Sequence, residues 1–294
     1  MRDSTPLIFG ETLFDCFADG EVAGGAPFNV AWHLQGLGCP PLLLSRVGDD
    51  RRGRELRRLM EDWGLSTAGL QVDARRPTGM VRVEVREGEP SYVIEAGQAY
   101  DFIEPPGADV TGFALLYHGT LALRNPVSRR TVEGLIRQNR CPVFVDLNLR
   151  SPWWRAEEIP AVLYAARYVK LNRHELRQLV ADDDGDLPRQ CGQLGRQYGL
   201  DLLCITDGAN GASLWCGDDS WHTVRPAGDT PVVDTVGAGD AFTAVLLLGL
   251  LRHWPLAVTL RRAQDFASAI VGHRGATVND PDFYLHFLHS WMQS

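Results

Sequence analysis

The sequence predicts an α/β fold: a mostly parallel central sheet covered by helices on both faces, with a small β appendage. Three observations predict it. From residue 114 onward, short apolar runs alternate with helical patterns. Between residues 78 and 95 two alternating runs flank a tight turn and break that rhythm. The chain has 294 residues and is 45% hydrophobic, enough for one large core with an appendage.

The elements follow in order. Leu7–Gly10 reads as a first strand. Gly24-Gly25-Ala26-Pro27-Phe28-Asn29 leads into a helix over Val30–Leu37, stopped by Gly38. Pro41–Val47 reads as a buried strand, and Arg51–Trp63 as an amphipathic helix closed by Gly64. Thr78–Arg86 and Ser91–Glu95 alternate around a Glu-Gly-Glu-Pro turn, which signals a hairpin. Strand Ala114–His118, helix Ser128–Asn139, strand Val143–Asp146, helix Ile159–Ala166 and strand Tyr168–Leu171 come next. Helices Glu175–Val180 and Leu187–Tyr198 lead to strand Leu202–Thr206. Gly211–Trp215 and Trp221–Arg225 form a second hairpin, and three helices close the chain. The early hairpin and the segment between the first strand and Gly24 are assigned to the appendage, as a lid over a site or as an edge hairpin without function. The acidic run Asp182-Asp183-Asp184-Gly185-Asp186 reads as a solvated loop.

Composition narrows the function. The net charge is −8 and no basic stripe stands out, which excludes nucleic acid and anionic membranes as expected partners. The apolar stretch Ala241–Leu251 is too short to span a bilayer, and the start Met1-Arg2-Asp3-Ser4-Thr5-Pro6 has no leader-like apolar run. Six cysteines without a Cys-x-x-Cys pair read as reduced thiols, Cys141 and Cys204 beside or within strand-like runs, in a cytoplasmic protein. The eight histidines lack His-x-x-x-His metal spacing. Lys170 is the one lysine, and it is followed by Leu171. A P-loop with its Gly-Lys-Ser/Thr is therefore absent, as is a His-Arg-Asp kinase loop. A chain of this kind that moves phosphate is expected to use backbone amides, arginine and a metal ion.

Residues 234–240, Asp-Thr-Val-Gly-Ala-Gly-Asp, run into a buried helix. Free N–H groups and the helix dipole make such a turn an anion site, and glycines let a phosphate approach. Asp240 on the first turn is costly beside a phosphate unless it handles a proton, a pairing that suits phosphoryl transfer to a hydroxyl. An aspartate there is equally good capping chemistry. Polar residues also gather at the ends of predicted strands: Asp15, Asp146 with Asn148, Asn172 and Thr206. Ligands of open α/β sheets sit at those ends, so the convergence points to one site.

At these residues the chain resembles the ribokinase-like (PfkB) sugar kinases over essentially its whole length. The resemblance rests on Gly24-Gly25-Ala26-Pro27-Phe28-Asn29-Val30-Ala31 and on Asp234–Asp240. Shorter matches are Gly10–Asp15, Val47–Asp50, Asp146–Arg150, Asn172–Glu175 and Thr206–Gly211. It implies a single ribokinase-like three-layer α/β/α domain over 1–294, with lid strands from about 12–28 and 76–104. It also implies an ATP-dependent kinase acting on a sugar hydroxyl.

In that likeness Asp240 is the catalytic base, and the N–H groups of Gly237, Ala238 and Gly239 hold the charge on the phosphoryl group. Asp15, Gly25 and Asn29 bind sugar hydroxyls. Asn172 and Glu175 organise magnesium through water, and Thr206, Gly208 and Gly211 line the nucleotide pocket. Asp234 and Val236, with the Gly272–Ala276 turn, imply a potassium site. The matches are most similar to fructokinases, so fructose is the expected acceptor. Leu13 stands where ribokinases carry a sugar-reading Asn. Arg150 could meet an anionic acceptor such as a 2-keto-3-deoxy sugar acid, or only pair with a carboxylate or the nucleotide loop. Another ketose remains open, as does a nucleoside stacked on Phe14, Phe28 or Tyr92. A non-catalytic metabolite-binding protein of the same fold is the remaining alternative. Asp207 has no role in a nucleotide loop and is expected to face solvent. Both a homodimer through the lid and a monomer fit the hairpin.

Overall fold

A computed structural model describes residues 5–18, 20–86, 89–107, 111–180, 186–228 and 231–293, with side chains 83–92 outside the described set. The first half contains β1 (Pro6–Phe9), β2 (Leu13–Phe17), β3 (Gly20–Gly24), α1 (Ala26–Gly36), β4 (Leu42–Gly48), α2 (Arg51–Asp62), β5 (Leu70–Asp73), β6 (Gly79–Arg86) and β7 (Glu89–Ile94). Then come β8 (Leu115–His118), α3 (Pro126–Asn139), β9 (Val143–Asp146), α4 (Ile159–Ala165), β10 (Tyr168–Asn172), α5 (Arg173–Leu179), α6 (Leu187–Tyr198) and β11 (Leu202–Thr206). The chain closes with β12 (Ala212–Cys216), β13 (Trp221–Val224), α7 (Ala238–Leu251), α8 (Leu256–Val271) and α9 (Pro281–Met292).

Nine strands form the main sheet in the order β13-β12-β11-β10-β9-β8-β1-β4-β5. Its strands run parallel from β5 to β11, and the β12–β13 hairpin is antiparallel. β1, β8 and β9 are buried at every position, which is why they read as unbroken apolar runs. One core lies on the face of α1, α7 and α8, with Phe28, Leu246 and Phe266. A second lies on the face of α3, α4 and α6, with Leu135, Leu163 and Leu194. The α/β/α sandwich is thus the observed architecture. The apolar run Ala241–Gly249 is buried throughout in α7, so its hydrophobicity serves the core. Among the described residues no helix is long and apolar enough to cross a membrane.

A separate four-stranded sheet has the order β3-β2-β6-β7. It takes in the early hairpin and the segment after β1. Residues 25–28, grouped with the lid from sequence, instead open α1. Pro27 read as a loop residue, but proline at a helix start gives up only an N–H that is free there anyway. β5 was not anticipated: four residues offer little periodicity, and it pairs parallel with β4 far from its neighbours in sequence. Residues 182–185 of the acidic run lie outside the described residues.

Candidate active site

The carboxyl ends of β1, β9, β10 and β11, the start of α7 and the inner face of the small sheet enclose a cleft of about 410 Å³. Asp15, Gly25, Asn29, Arg150, Asn172, Glu175, Thr206, Val236, Gly237, Gly239 and Asp240 all line it. Residues up to about 225 positions apart in sequence therefore meet where the strand-end rule places a ligand.

Two backbone features build the α7 start. Gly237 caps the helix at φ 79°, and a Cβ there would stand 2.4 Å from Cα of Ala276, so only glycine fits. The first helical bond runs from Ala241 N–H to Gly237 O; Ala238 N–H makes a long 3.4 Å bond to Thr235 O, and Gly237 and Gly239 line the cleft with N–H groups that no helical bond takes up. Asp240 is half-buried and accepts a 2.8 Å hydrogen bond from Asn29 Nδ2. Burial pushes its carboxyl up to about 6; the Asn29 bond, Lys170 and Arg150 oppose that, and Asp146 adds to it. At neutral pH Asp240 is ionised, with more proton affinity than an ordinary aspartate. The two signature segments, one on α1 and one on α7, are joined by this Asn29–Asp240 bond.

The opposite wall carries more carboxyls. Burial lifts Asp15 to about 6, with Arg150 opposing and Asp234 assisting. Glu11, which the sequence reading passed over, also lines the cleft and is 3% exposed. Burial raises its carboxyl to about 7, partly offset by its own backbone N–H and Arg150, and Oε2 has no hydrogen-bond partner. Glu11 immediately precedes Thr12 after β1, so the rule that picked out Asp15 could have found it. Gly25, at φ 105°, packs so closely that a Cβ would lie 2.7 Å from Glu11 O.

Lys170 is the larger surprise. It is buried in β10, lines the cleft, and donates to Asp146 Oδ2 at 2.7 Å. Thr243 Oγ1 donates to the same oxygen at 2.9 Å, which ties β9 and β10 to the first turns of α7. The sequence reading placed Lys170 in a strand and gave it no part in phosphate chemistry; the structure brings its ammonium group to the wall of the cleft. Lys170 sits at an inward position of a strand, and its partner lies 24 residues away, so local pattern did not reveal it.

Asn172 and Glu175 form a reciprocal cap on α5. Asn172 Oδ1 accepts from Glu175 N–H at 2.9 Å, and Glu175 Oε2 accepts from Asn172 N–H at 2.8 Å. Glu175 Oε1 accepts from Leu149 N–H at 2.6 Å. Burial raises the Glu175 carboxyl and these backbone donors lower it, with a net rise. Asp234 bridges two loops, accepting from Val236 N–H and Gly275 N–H at 3.0 Å each. Ala238 opens α7 beside the lining glycines. Gly208 and Gly211 lie in the turn after Thr206, outside the cleft lining. Gly211 is required there by β13, since a Cβ would stand 2.0 Å from Val224 O. Asp207 is exposed and accepts from Asn210 Nδ2, a turn role that accounts for its charge. Phe14 and Phe28 are core residues, 5% and 0% exposed, and the Tyr92 side chain lies outside the described residues. Arg150 is exposed at the rim, where its charge acts on Glu11, Asp15 and Asp240. A second cavity of about 300 Å³ lies between α3 and α4, and is walled mainly by aliphatic and tryptophan side chains.

The arrangement gathers the N-terminus of α7, a carboxyl with a raised proton affinity and the polar groups of Asp15 and Asn29 into one cleft. Comparison with known proteins identifies the family. The profile of the pfkB family carbohydrate kinases matches residues 2–282. A fructokinase from Klebsiella pneumoniae is 31% identical over 265 residues, 84% of this chain and 84% of that protein. An aminoimidazole riboside kinase from Salmonella typhimurium is 30% identical over 277 residues, 86% of this chain and 83% of that protein. The crystal structure of aminoimidazole riboside kinase from Salmonella enterica, complexed with aminoimidazole riboside and an ATP analog, superposes with a TM-score of 0.83 at 26% identity, covering 97% of this chain and 99% of that one.

Proposed function

The chain belongs to the pfkB family of carbohydrate kinases, and on that premise we propose that it transfers the γ-phosphoryl group of ATP to a hydroxyl of fructose in the cytoplasm. The observation that carries this reading is the Asn29–Asp240 bond, because it puts a hydroxyl-binding residue within reach of the base. The acceptor hydroxyl gives its proton to Asp240 as its oxygen attacks the γ-phosphorus. The bond from that phosphorus to the bridging oxygen breaks, and ADP leaves. N–H groups of Gly237, Ala238 and Gly239 meet the developing charge, which is the main demand of phosphoryl transfer. Asp15, Gly25 and Asn29 orient the sugar, and Thr206 with the turn through Gly208 and Gly211 borders the nucleotide. The small sheet excludes water, which would otherwise take the phosphoryl group.

Magnesium and potassium fit the residues present. Among the described residues no group of three or more His, Cys, Asp or Glu is arranged to hold a metal. Both Glu175 oxygens already accept backbone N–H groups, so Asn172 and Glu175 suit a magnesium ion held through water and phosphate. When bound, that ion neutralises phosphate charge. Asp234 accepts from both Val236 N–H and Gly275 N–H, which ties together the two segments whose backbone oxygens a potassium site would draw on.

The acceptor follows from charge. Arg150 lies exposed at the rim and its charge acts on Glu11, Asp15 and Asp240, and the lining carries more carboxyls than cations, which supports a neutral polyol over a sugar acid. The described lining holds no aromatic ring to stack a nucleoside base. A coupled ADP-release assay tests the reading over fructose, ribose, 2-keto-3-deoxygluconate, adenosine and aminoimidazole riboside, with and without potassium. Fructose is expected to give the highest kcat/KM; a higher value for any other acceptor overturns it.

A further inference from the structure

We propose that Lys170 is a catalytic residue whose ammonium group binds the phosphoryl group as it moves from ATP to the acceptor. The proposal rests on the kinase reading above and adds a residue to it.

Composition supplies the first argument. Lysine and arginine together number 29, and Lys170 is the one lysine. Every other ion pair found among the described residues uses arginine. A chain that favours guanidinium so strongly keeps an ammonium where arginine cannot serve. A compact charge with three freely placed donors differs from a wide planar fork.

Position supplies the second. A Cβ on Gly239 would stand 3.7 Å from Lys170 Nζ, so the ammonium lies against the backbone of the anion cradle, and the missing side chain keeps it open to the cleft. Donor count supplies the third. Asp146 takes one of three N–H groups, and among the described residues no other acceptor is bonded to Nζ. A phosphoryl oxygen at the cradle supplies the acceptor that is missing. Charge supplies the fourth. Glu11, Asp15, Asp146, Glu175 and Asp240 all line the cleft, so an entering polyphosphate needs a cation inside it. Burial works against the Lys170 charge, but Asp146 outweighs it and holds the ammonium protonated.

The test uses Lys170→Arg and Lys170→Met in the full chain. Arginine retains the pairing with Asp146, so Lys170→Arg separates a folding role from a chemical one. Thermal midpoint, fructose binding, kcat, and binding of AMP, ADP and ATP are measured for each. Both variants are expected to lose roughly 10²-fold in kcat, as for removal of one charge-stabilising donor. Lys170→Arg is expected to keep its midpoint and its fructose affinity, and ATP binding to weaken at least about tenfold more than AMP binding. A kcat for Lys170→Arg within about threefold of the parent overturns the proposal. So does an equal change, or none, across AMP, ADP and ATP. The nucleotide series needs no sugar, so a wrong acceptor and a wrong role for Lys170 fail separately.

Discussion

Asp50 and Asp240 both stand at the start of a helix, and from sequence both could be caps. Asp50 is saturated. Its carboxylate accepts from Gly53 N–H, Thr78 N–H and Thr78 Oγ1, all within 2.7–2.8 Å. Burial alone would raise it, but those donors and Arg52 hold it below the usual aspartate range. Asp240 receives one side-chain donor, Asn29, and burial leaves it at about 6. The first holds its proton weakly and fastens α2 to Thr78, the residue that leads into β6 of the small sheet. The second keeps an appetite for a proton and faces open space. Donor supply, more than position on the helix, separates a fastening carboxylate from a reacting one.

The comparison breaks most directly at Asp240. Asp240→Asn is expected to lower kcat by about 10²-fold or more while sugar binding is largely kept. Calorimetric titration with fructose beside a turnover assay checks it, and near-normal turnover would remove the base assignment. Asp50→Ala should do the reverse. It strands three donors, so urea unfolding should show a loss on the order of 2 kcal/mol, with kcat within about threefold. A large fall in kcat without a loss of stability would merge the two roles.

The pH profile sharpens the contrast. Asp240 must be ionised to accept a proton, so kcat/KM should fall about tenfold per unit below roughly pH 6. Asp50→Asn should leave that limb in place. A last effect, confined to one side of the pH range, concerns Glu11. Its folded-state value of about 7 lies above the ordinary 4.5, so its contribution to stability is full at low pH and lost as pH rises toward 7. Glu11→Gln should therefore stabilise the protein by up to about 3 kcal/mol at pH 8 and by nothing measurable at pH 4, as read by unfolding at both values. Stabilisation that is the same at both pH values would point to packing.

The contrast also explains what the sequence could and could not convey. Buried parallel strands such as Val143–Asp146 were legible because apolar runs between helical patterns are local signals. Gly237 and Asp240 were legible because one turn holds both. Lys170 was not, because its meaning depends on Asp146 in the neighbouring strand and on the absence of a side chain at Gly239. The close approach of Gly211 to Val224 O across a hairpin was likewise not legible. Pairwise context from distant segments, absent in any short window, accounts for each of these.

His33 of α1 lies within 3.0 Å of Ala276 O through Nε2 and of the Tyr284 hydroxyl through Nδ1. Burial leaves its ring neutral, so Nε2–H donates to the carbonyl, and the single hydrogen of the Tyr284 hydroxyl is shared between Nδ1 and Val278 O, 3.1 Å away. Ala276 in turn backs Gly237, and Asn29 on the same helix holds Asp240. During synthesis, then, the ribosome must deliver Tyr284 before the scaffold that began with α1 can lock, and a nascent polypeptide has no finished kinase centre to act prematurely.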